Sequence, residues 1–140
     1  MSEESTTPDL VALTRRAIEP ANRRDFDAMM SFYAPDAVCD ASPIGMGIFE
    51  GNVVIRGFFE DWIGAYEEFE NQPEEILDVG EGVVLAVIRQ NARPVGSTGH
   101  VWVRYGGVIV WAEGMIERFT TYADIDEARA AAEQLAESRW

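Results

Sequence analysis

The sequence predicts an α+β domain, and three features carry the prediction. Apolar residues recur at helical spacing in the first half of the chain and alternate with period two in the second. The breaks between the alternating segments are short and rich in glycine, which implies antiparallel hairpins. Helices followed by a run of strands is the order of an α+β domain, whereas alternating βαβ units would interleave them. The elements follow in order. Thr7-Pro8-Asp9 offers a capping hydroxyl, a proline at the first helical position and an acid in the first turn. Leu10, Leu13, Ala17, Ile18 and Ala21 then form one apolar face, and Pro20 ends or kinks this helix. Asp25 caps a short second helix with Phe26, Met29, Met30 and Tyr33 on its core side, stopped by Ala34-Pro35-Asp36. Ala37–Asp40 reads as a short strand and Pro43–Gly47 as a glycine-rich loop. A third helix covers Asn52–Tyr66, burying Val54, Ile55, Phe58, Phe59, Trp62 and Ile63. Four strands follow: Glu74–Gly80, Val83–Gln90, Gly99–Trp111 and Met115–Tyr122. Asp124 caps a last, alanine-rich helix that ends near Ser138. Residues 1–7 read as a flexible tail and 8–138 as one domain, which suits a length of 140 residues.

Composition removes several chemistries. All 11 basic residues are arginine, so no lysine Schiff base or phosphate-loop lysine can exist. One histidine, His100, and one cysteine, Cys39, cannot build a clustered metal site or an intrachain disulfide. No metal and no cofactor is expected. A Cys39–His100 nucleophile pair has no local motif behind it, and Cys39 reads as a small buried strand residue. The net charge of −14 repels phosphates, so neither nucleic acid nor an anionic membrane is an expected partner. From Gly57 to Ile88 there are nine acidic residues and no basic one, a solvated face whose spacing lacks a calcium-loop pattern. No apolar run approaches the ~20 residues of a membrane span, and the acidic start lacks a secretory signal, so a cytoplasmic location is expected.

The strand at 99–111 is apolar on both faces. Val101, Val103, Tyr105, Ile109 and Trp111 share one, and Trp102, Val108 and Val110 the other. The chain's own helices can cover one face, and a second copy is the cheapest cover for the other. Glutamate at Val108 or Val110 should then split a homodimer.

The segments Asn22–Ala28, Phe32–Val38, Phe49-Glu50-Gly51, Glu113–Ile116 and Thr121–Ala128 carry a family resemblance. Over about residues 9–137 the chain resembles the SnoaL-like group of the nuclear transport factor 2 / ketosteroid isomerase superfamily. The resemblance implies a cone: a curved antiparallel sheet wrapped around N-terminal helices, with a C-terminal helix and an apolar cavity inside. It also implies a homodimer joined through the outer sheet face. The superfamily's catalytic positions fall on Ala17, Ala41 and Gly107, none of which can donate or accept a proton, and the arginine and acids of epoxide-hydrolase relatives are absent near Tyr105, Gly107 and Thr121. Two functions are therefore expected. One is a binder of a small hydrophobic molecule, or an enzyme lacking the usual residues of the superfamily. The alternative is a cofactor-independent isomerase, dehydratase or cyclase that uses a buried carboxylate.

Asp40 is the candidate base, one residue out of register with Ala41. A carboxylate in an apolar pocket has a raised pKa suited to proton transfer. Turned to the opposite face, it would instead bond loop amides around Ser42. Arg89 either binds an anionic head group or pairs with an acid across the sheet. Glu117 alternates with Phe119 and Thr121, which places all three inside the cone. Phe58, Phe59, Trp62, Tyr105 and Trp111 are core aromatics that also line any pocket. His100 alternates with Trp102 on the outer face.

Overall fold

The structure, a computed structural model, describes residues 9–139. Helix α1 (Leu10–Ile18) starts at an Asp9 cap, whose carboxylate accepts the Ala12 amide at 3.1 Å. The cap is thus Asp9, and Thr7 and Pro8 lie outside the described residues. At Pro20 the chain tightens into a 3-10 turn, Glu19–Arg23. Asp25 caps α2 (Phe26–Met30) as expected, but α2 stops at Met30. Ala34-Pro35-Asp36 lies inside strand β1 (Tyr33–Asp40), not in a helix stop. Pro35 is tolerated there because the pairing with the next strand is interrupted between Tyr33 and Val38. A short strand β2 (Ile48–Glu50) follows a 3-10 turn at Ser42–Ile44.

Helix α3 (Asn52–Gly64) buries Ile55, Phe58, Phe59 and Ile63, whereas Val54 is half exposed. Val54 precedes Ile55 by one residue, about 100° around the helix from the buried stripe. Beyond α3 the chain turns directly into β3 (Tyr66–Gly80), well before Glu74. Strands β4 (Val83–Pro94), β5 (Val101–Ala112) and β6 (Met115–Tyr122) follow, then α4 (Ile125–Ser138), capped by Asp124. Glu81-Gly82 and Glu113-Gly114 turn the β3–β4 and β5–β6 hairpins with φ positive at both residues, the twist that tight hairpins need.

The sheet has six strands in the order β2-β1-β6-β5-β4-β3. Every ladder is antiparallel except β1–β6, so the sheet is mixed. α1, α2 and α3 pack on its inner face against Val84, Ala86, Ile88, Ile109 and Trp111. The Trp111 indole donates to Thr14 Oγ1 at 3.0 Å beneath α1, so neither buried polar group is orphaned.

The outer face corrects an expectation. Val108 and Val110 are buried under the chain's own α4, with Val83, Leu85, Val87 and the alanines Ala128, Ala132 and Ala136. Only the far half of this face is open, where Trp102 is 56% exposed. α4 comes this close because Gly106 lies beneath it: a Cβ there would stand 2.5 Å from Ala128 Cβ.

The acidic stretch faces solvent as expected, with eight of its nine acids exposed. Most of it is β3, an edge strand, and its glutamates reach basic partners on neighbouring elements. Glu74 accepts from Arg104 at 2.7 Å and Glu75 from Arg129 of α4 at 2.9 and 3.1 Å. Glu67 and Glu68 meet Arg93, and His100 approaches Glu68 at 2.8 Å. A charged edge of this kind also resists pairing with another sheet.

Candidate functional site

The inner face of the sheet and the N-terminal helices surround a cavity of about 60 Å³. α1 and the turn after it contribute Ala17, Ile18 and Ala21; α3 contributes Phe59, Trp62 and Ile63. Ile88, Tyr105, Ile109, Phe119 and Thr121 form the sheet wall. Trp62 and Gln90 also face a neighbouring groove of about 510 Å³, walled by Phe58, Tyr66, Val101 and Val103. These two side chains stand where cavity and groove adjoin.

Of the candidate residues, Phe59, Trp62, Tyr105, Phe119 and Thr121 line the cavity. Phe58 lies behind Trp62, edge-on at 5.4 Å, and faces the groove. Trp111 is core, spent on Thr14. Arg89 is on the outer face, where it covers the Trp102 ring at 4.5 Å and meets no anion site. Glu117 is exposed, and the reason is a bulge. β6 pairs Ile116 with Trp111 and Arg118 with Val110, so Glu117 is the extra residue and the alternation slips by one. Ile116 takes the inward place.

Asp40 is turned to the other face of β1, away from the cavity. Its carboxylate accepts from the Ser42 amide at 2.9 Å, the Ser42 hydroxyl at 2.6 Å and Arg118 at 2.9 Å. Partial burial alone would raise its pKa. The Ser42 and Arg118 contacts outweigh burial and hold it below the ordinary carboxylate value. A depressed folded pKa stabilises the fold above the unfolded value, and the contribution disappears as pH falls through the folded value. Asp40→Asn should therefore cost about 1 kcal/mol at pH 7. Urea titrations of both proteins should show that difference closing as the solution is acidified below the carboxylate range.

Two of the positions on which the resemblance places the superfamily's catalytic groups are tightly packed. Ala41 is fully buried. A Cβ at Gly107 would stand 2.5 Å from Phe119 Cε1, so the Phe119 ring occupies the space an aspartate would need. Cys39 is buried on β1, with its thiol pushed up to about 12 by burial and the nearby Asp40 charge, while His100 is exposed and bonded to Glu68. The two form no nucleophile pair.

Polar groups in the wall went unrecognised in the sequence: Tyr33, Asn71 and Gln90. Burial raises the pKa of both phenols, Tyr33 well above its ordinary value. The nearby Cys39 and Tyr105 reinforce the Tyr33 shift, whereas a hydrogen bond with the Asn71 amide partly offsets that of Tyr105. Both are neutral at physiological pH. Asn71 is held from behind: its backbone N–H donates to Asn22 Oδ1 at 2.7 Å, and its carbonyl accepts from Asn22 Nδ2 at 3.1 Å. Arg24, in the left-handed conformation, ties the same turn to α3 and β3 through the carbonyls of Ile63 and Tyr66, at 3.0 and 2.6 Å. The signal for Gln90 was strand parity. It continues the inward series Val84, Ala86, Ile88 and is the one polar member of it before Ala92.

A six-stranded mixed sheet with α1–α3 on one face and α4 on the other is the architecture of the nuclear transport factor 2-like fold. Within that fold the chain belongs to the SnoaL-like domain family, whose match covers residues 14–119. An NTF2-like protein of unknown function from Burkholderia pseudomallei aligns with a TM-score of 0.72 at 18% identity, over 90% of this chain and 98% of that one. A Mycobacterium tuberculosis protein in complex with estradiol-17β-hemisuccinate aligns with a TM-score of 0.70 at 17% identity, over 83% of this chain and 94% of that one. An epoxide hydrolase of the same organism aligns with a TM-score of 0.68 at 16% identity, over 89% of each chain. No curated protein matches. At such identities the likeness is one of fold. Among the described residues no helix is long and apolar enough to cross a membrane, and no group of three or more His, Cys, Asp or Glu side chains could hold a metal ion.

Proposed function

We propose that this protein binds small, uncharged, mostly apolar molecules in the inner cavity, with the adjoining groove taking any part that does not fit. The observation that carries this reading is the charge state of the wall. Every described residue lining the cavity is uncharged, and its two titratable groups, Tyr33 and Tyr105, are shifted further towards neutrality. General base catalysis needs a group within hydrogen-bond reach of the substrate proton and a pKa near the working pH. Asp40, on the other face, meets neither condition, so the carboxylate-driven isomerase, dehydratase or cyclase is the weaker reading. The complex of a protein of the same fold with estradiol-17β-hemisuccinate supports small-molecule binding in general.

The test is to fill the cavity. Ala17→Phe places a ring into about 60 Å³ of space. Binding of neutral ring compounds, followed by NMR shift perturbation around Trp62, Ile88 and Phe119, should fall at least tenfold in this variant. Unchanged binding would place the site elsewhere. Conversion of a Δ5-3-ketosteroid by the wild type should stay at background, because the base and both oxyanion donors are missing from their usual positions. Clear turnover would refute the non-catalytic reading.

A homodimer is part of the same proposal, restricted to the half of the outer face that α4 leaves open. Trp102 under Arg89 is its centre, flanked by Arg104 and the β3 glutamates, which gives a surface of both signs. Sedimentation at micromolar concentration should give a dimer, and a specific interface should bury more than about 1,000 Å² in total. A 15.6 kDa monomer would refute it.

A further inference from the structure

Asn71 and Gln90 face each other directly across the β3–β4 ladder, and both line the cavity. Gln90 is 5% exposed, and no described group lies within hydrogen-bond reach of its Oε1. Asn71 Oδ1 is buried in the same way, also without a partner, because the amide's hydrogen bond with Tyr105 is donated by its Nδ2. Two adjacent carbonyl oxygens left unmatched in an apolar wall are a standing cost to the fold, because a buried acceptor loses its hydration and gains nothing in return. Asn71 is also held against relaxation, its backbone clamped on both sides by the Asn22 side chain.

We infer that this amide pair selects the ligand: it takes neutral molecules that bring a hydrogen-bond donor, a hydroxylated ring above all, to the cross-strand position at Asn71 and Gln90. The inference rests on the binding reading above and narrows it. A hydroxyl supplies the donor that the two oxygens lack. An ether of the same shape offers only another acceptor, so the oxygens stay unmatched when it binds. A carboxylate brings a charge into a wall with no cation to receive it and points its own oxygens at the amides. Gln90 also borders the groove, which places the amide pair at the junction of the two spaces, where an entering molecule is checked.

The experiment compares three probes of one shape, 4-methylphenol, 4-methylanisole and 4-methylbenzoate, titrated into the whole protein and followed by NMR. The wild type should bind the phenol about tenfold more tightly than the anisole, which corresponds to about 1.4 kcal/mol, and the benzoate not at all. Gln90→Met removes the acceptor at nearly constant volume. It should reduce the preference to about twofold while keeping or improving anisole binding, and it should raise the melting temperature by removing a buried unmatched oxygen. Gln90→Leu repeats the test if the methionine packs poorly. Equal binding of phenol and anisole by the wild type would overturn the inference and leave the binding reading standing. A preference that survives both variants would also overturn it. Failure of the wild type to bind either neutral probe would remove the binding reading itself.

Discussion

Val108→Glu is expected to cost on the order of 4 kcal/mol of folding stability, read as a shift in the urea midpoint. The side chain is 3% exposed beneath α4 and faces alanines and valines. Glutamate there either buries an unpaired carboxylate or drives α4 off the sheet, and both routes lose the outer core. The loss should be independent of protein concentration, because the cover is the chain's own helix. Trp102→Glu, six strand positions away on the same face, is the counterpart. Its parent side chain is 56% exposed, so stability should change by no more than about 1 kcal/mol. Sedimentation should nevertheless show the dimer dissociated. If Val108→Glu instead gave a stable monomer, α4 would not be the cover of this face.

Gly106→Val should cost on the order of 3 kcal/mol. A Cβ at this position would stand 2.5 Å from Ala128 Cβ, where ordinary carbon contacts lie at 3.5–4.0 Å. Ala128 is a helix residue whose Cβ cannot rotate away, so the whole of α4 must shift. Ala128→Gly alone should cost about 1 kcal/mol through helix propensity. Combined with Gly106→Val it should recover much of the loss, and a double-mutant cycle measures that coupling. A single variant as stable as the wild type would show that α4 rides higher above the sheet than its alanines indicate.

The parts of the fold legible in the sequence are those where one local rule acts alone. Asp25 and Asp124 mark their helices because a capping carboxylate needs only the next turn. β4, β5 and β6 show because apolar alternation and paired turn residues coincide. β3 was half hidden: burial alternates from Glu68 to Glu75, but its inward positions include the polar Asn71 and its outward ones carry glutamates, so the alternation is not one of apolar with polar residues. Pro35 resembled a stop because the interruption of the β1–β6 ladder that tolerates it is a property of two strands, not one. Candidate site residues were legible only up to the first irregularity of their strand. Alternation placed Phe119 and Thr121 correctly, but the bulge at Glu117 reversed parity for that residue. The face of Asp40 depended on one residue of register, which only the pairing of Asp40 with Thr120 decides. The second apolar face of β5 was read correctly as needing cover, and the cover proved to lie within the same chain.

The parallel ladder between β1 and β6 has a consequence for the order in which the molecule can assemble. Tyr33 and Ile116 are partners, and Cys39 and Asp40 pair with Phe119 and Thr120. During synthesis the N-terminal third leaves the ribosome first, at about 5–20 residues per second. Until β6 follows, β1 has only the three-residue β2 beside it. The wall that α1 and α3 need is therefore incomplete for several seconds, with Phe58, Phe59 and Ile63 unburied. Formation of the C-terminal meander first, with later docking of the N-terminal helices, is the route that loop-closure entropy favours. A chain ending at Gly114 could form the β3–β4 and β4–β5 hairpins but neither the β5–β6 hairpin nor the cone, and it would be a natural client for a chaperone.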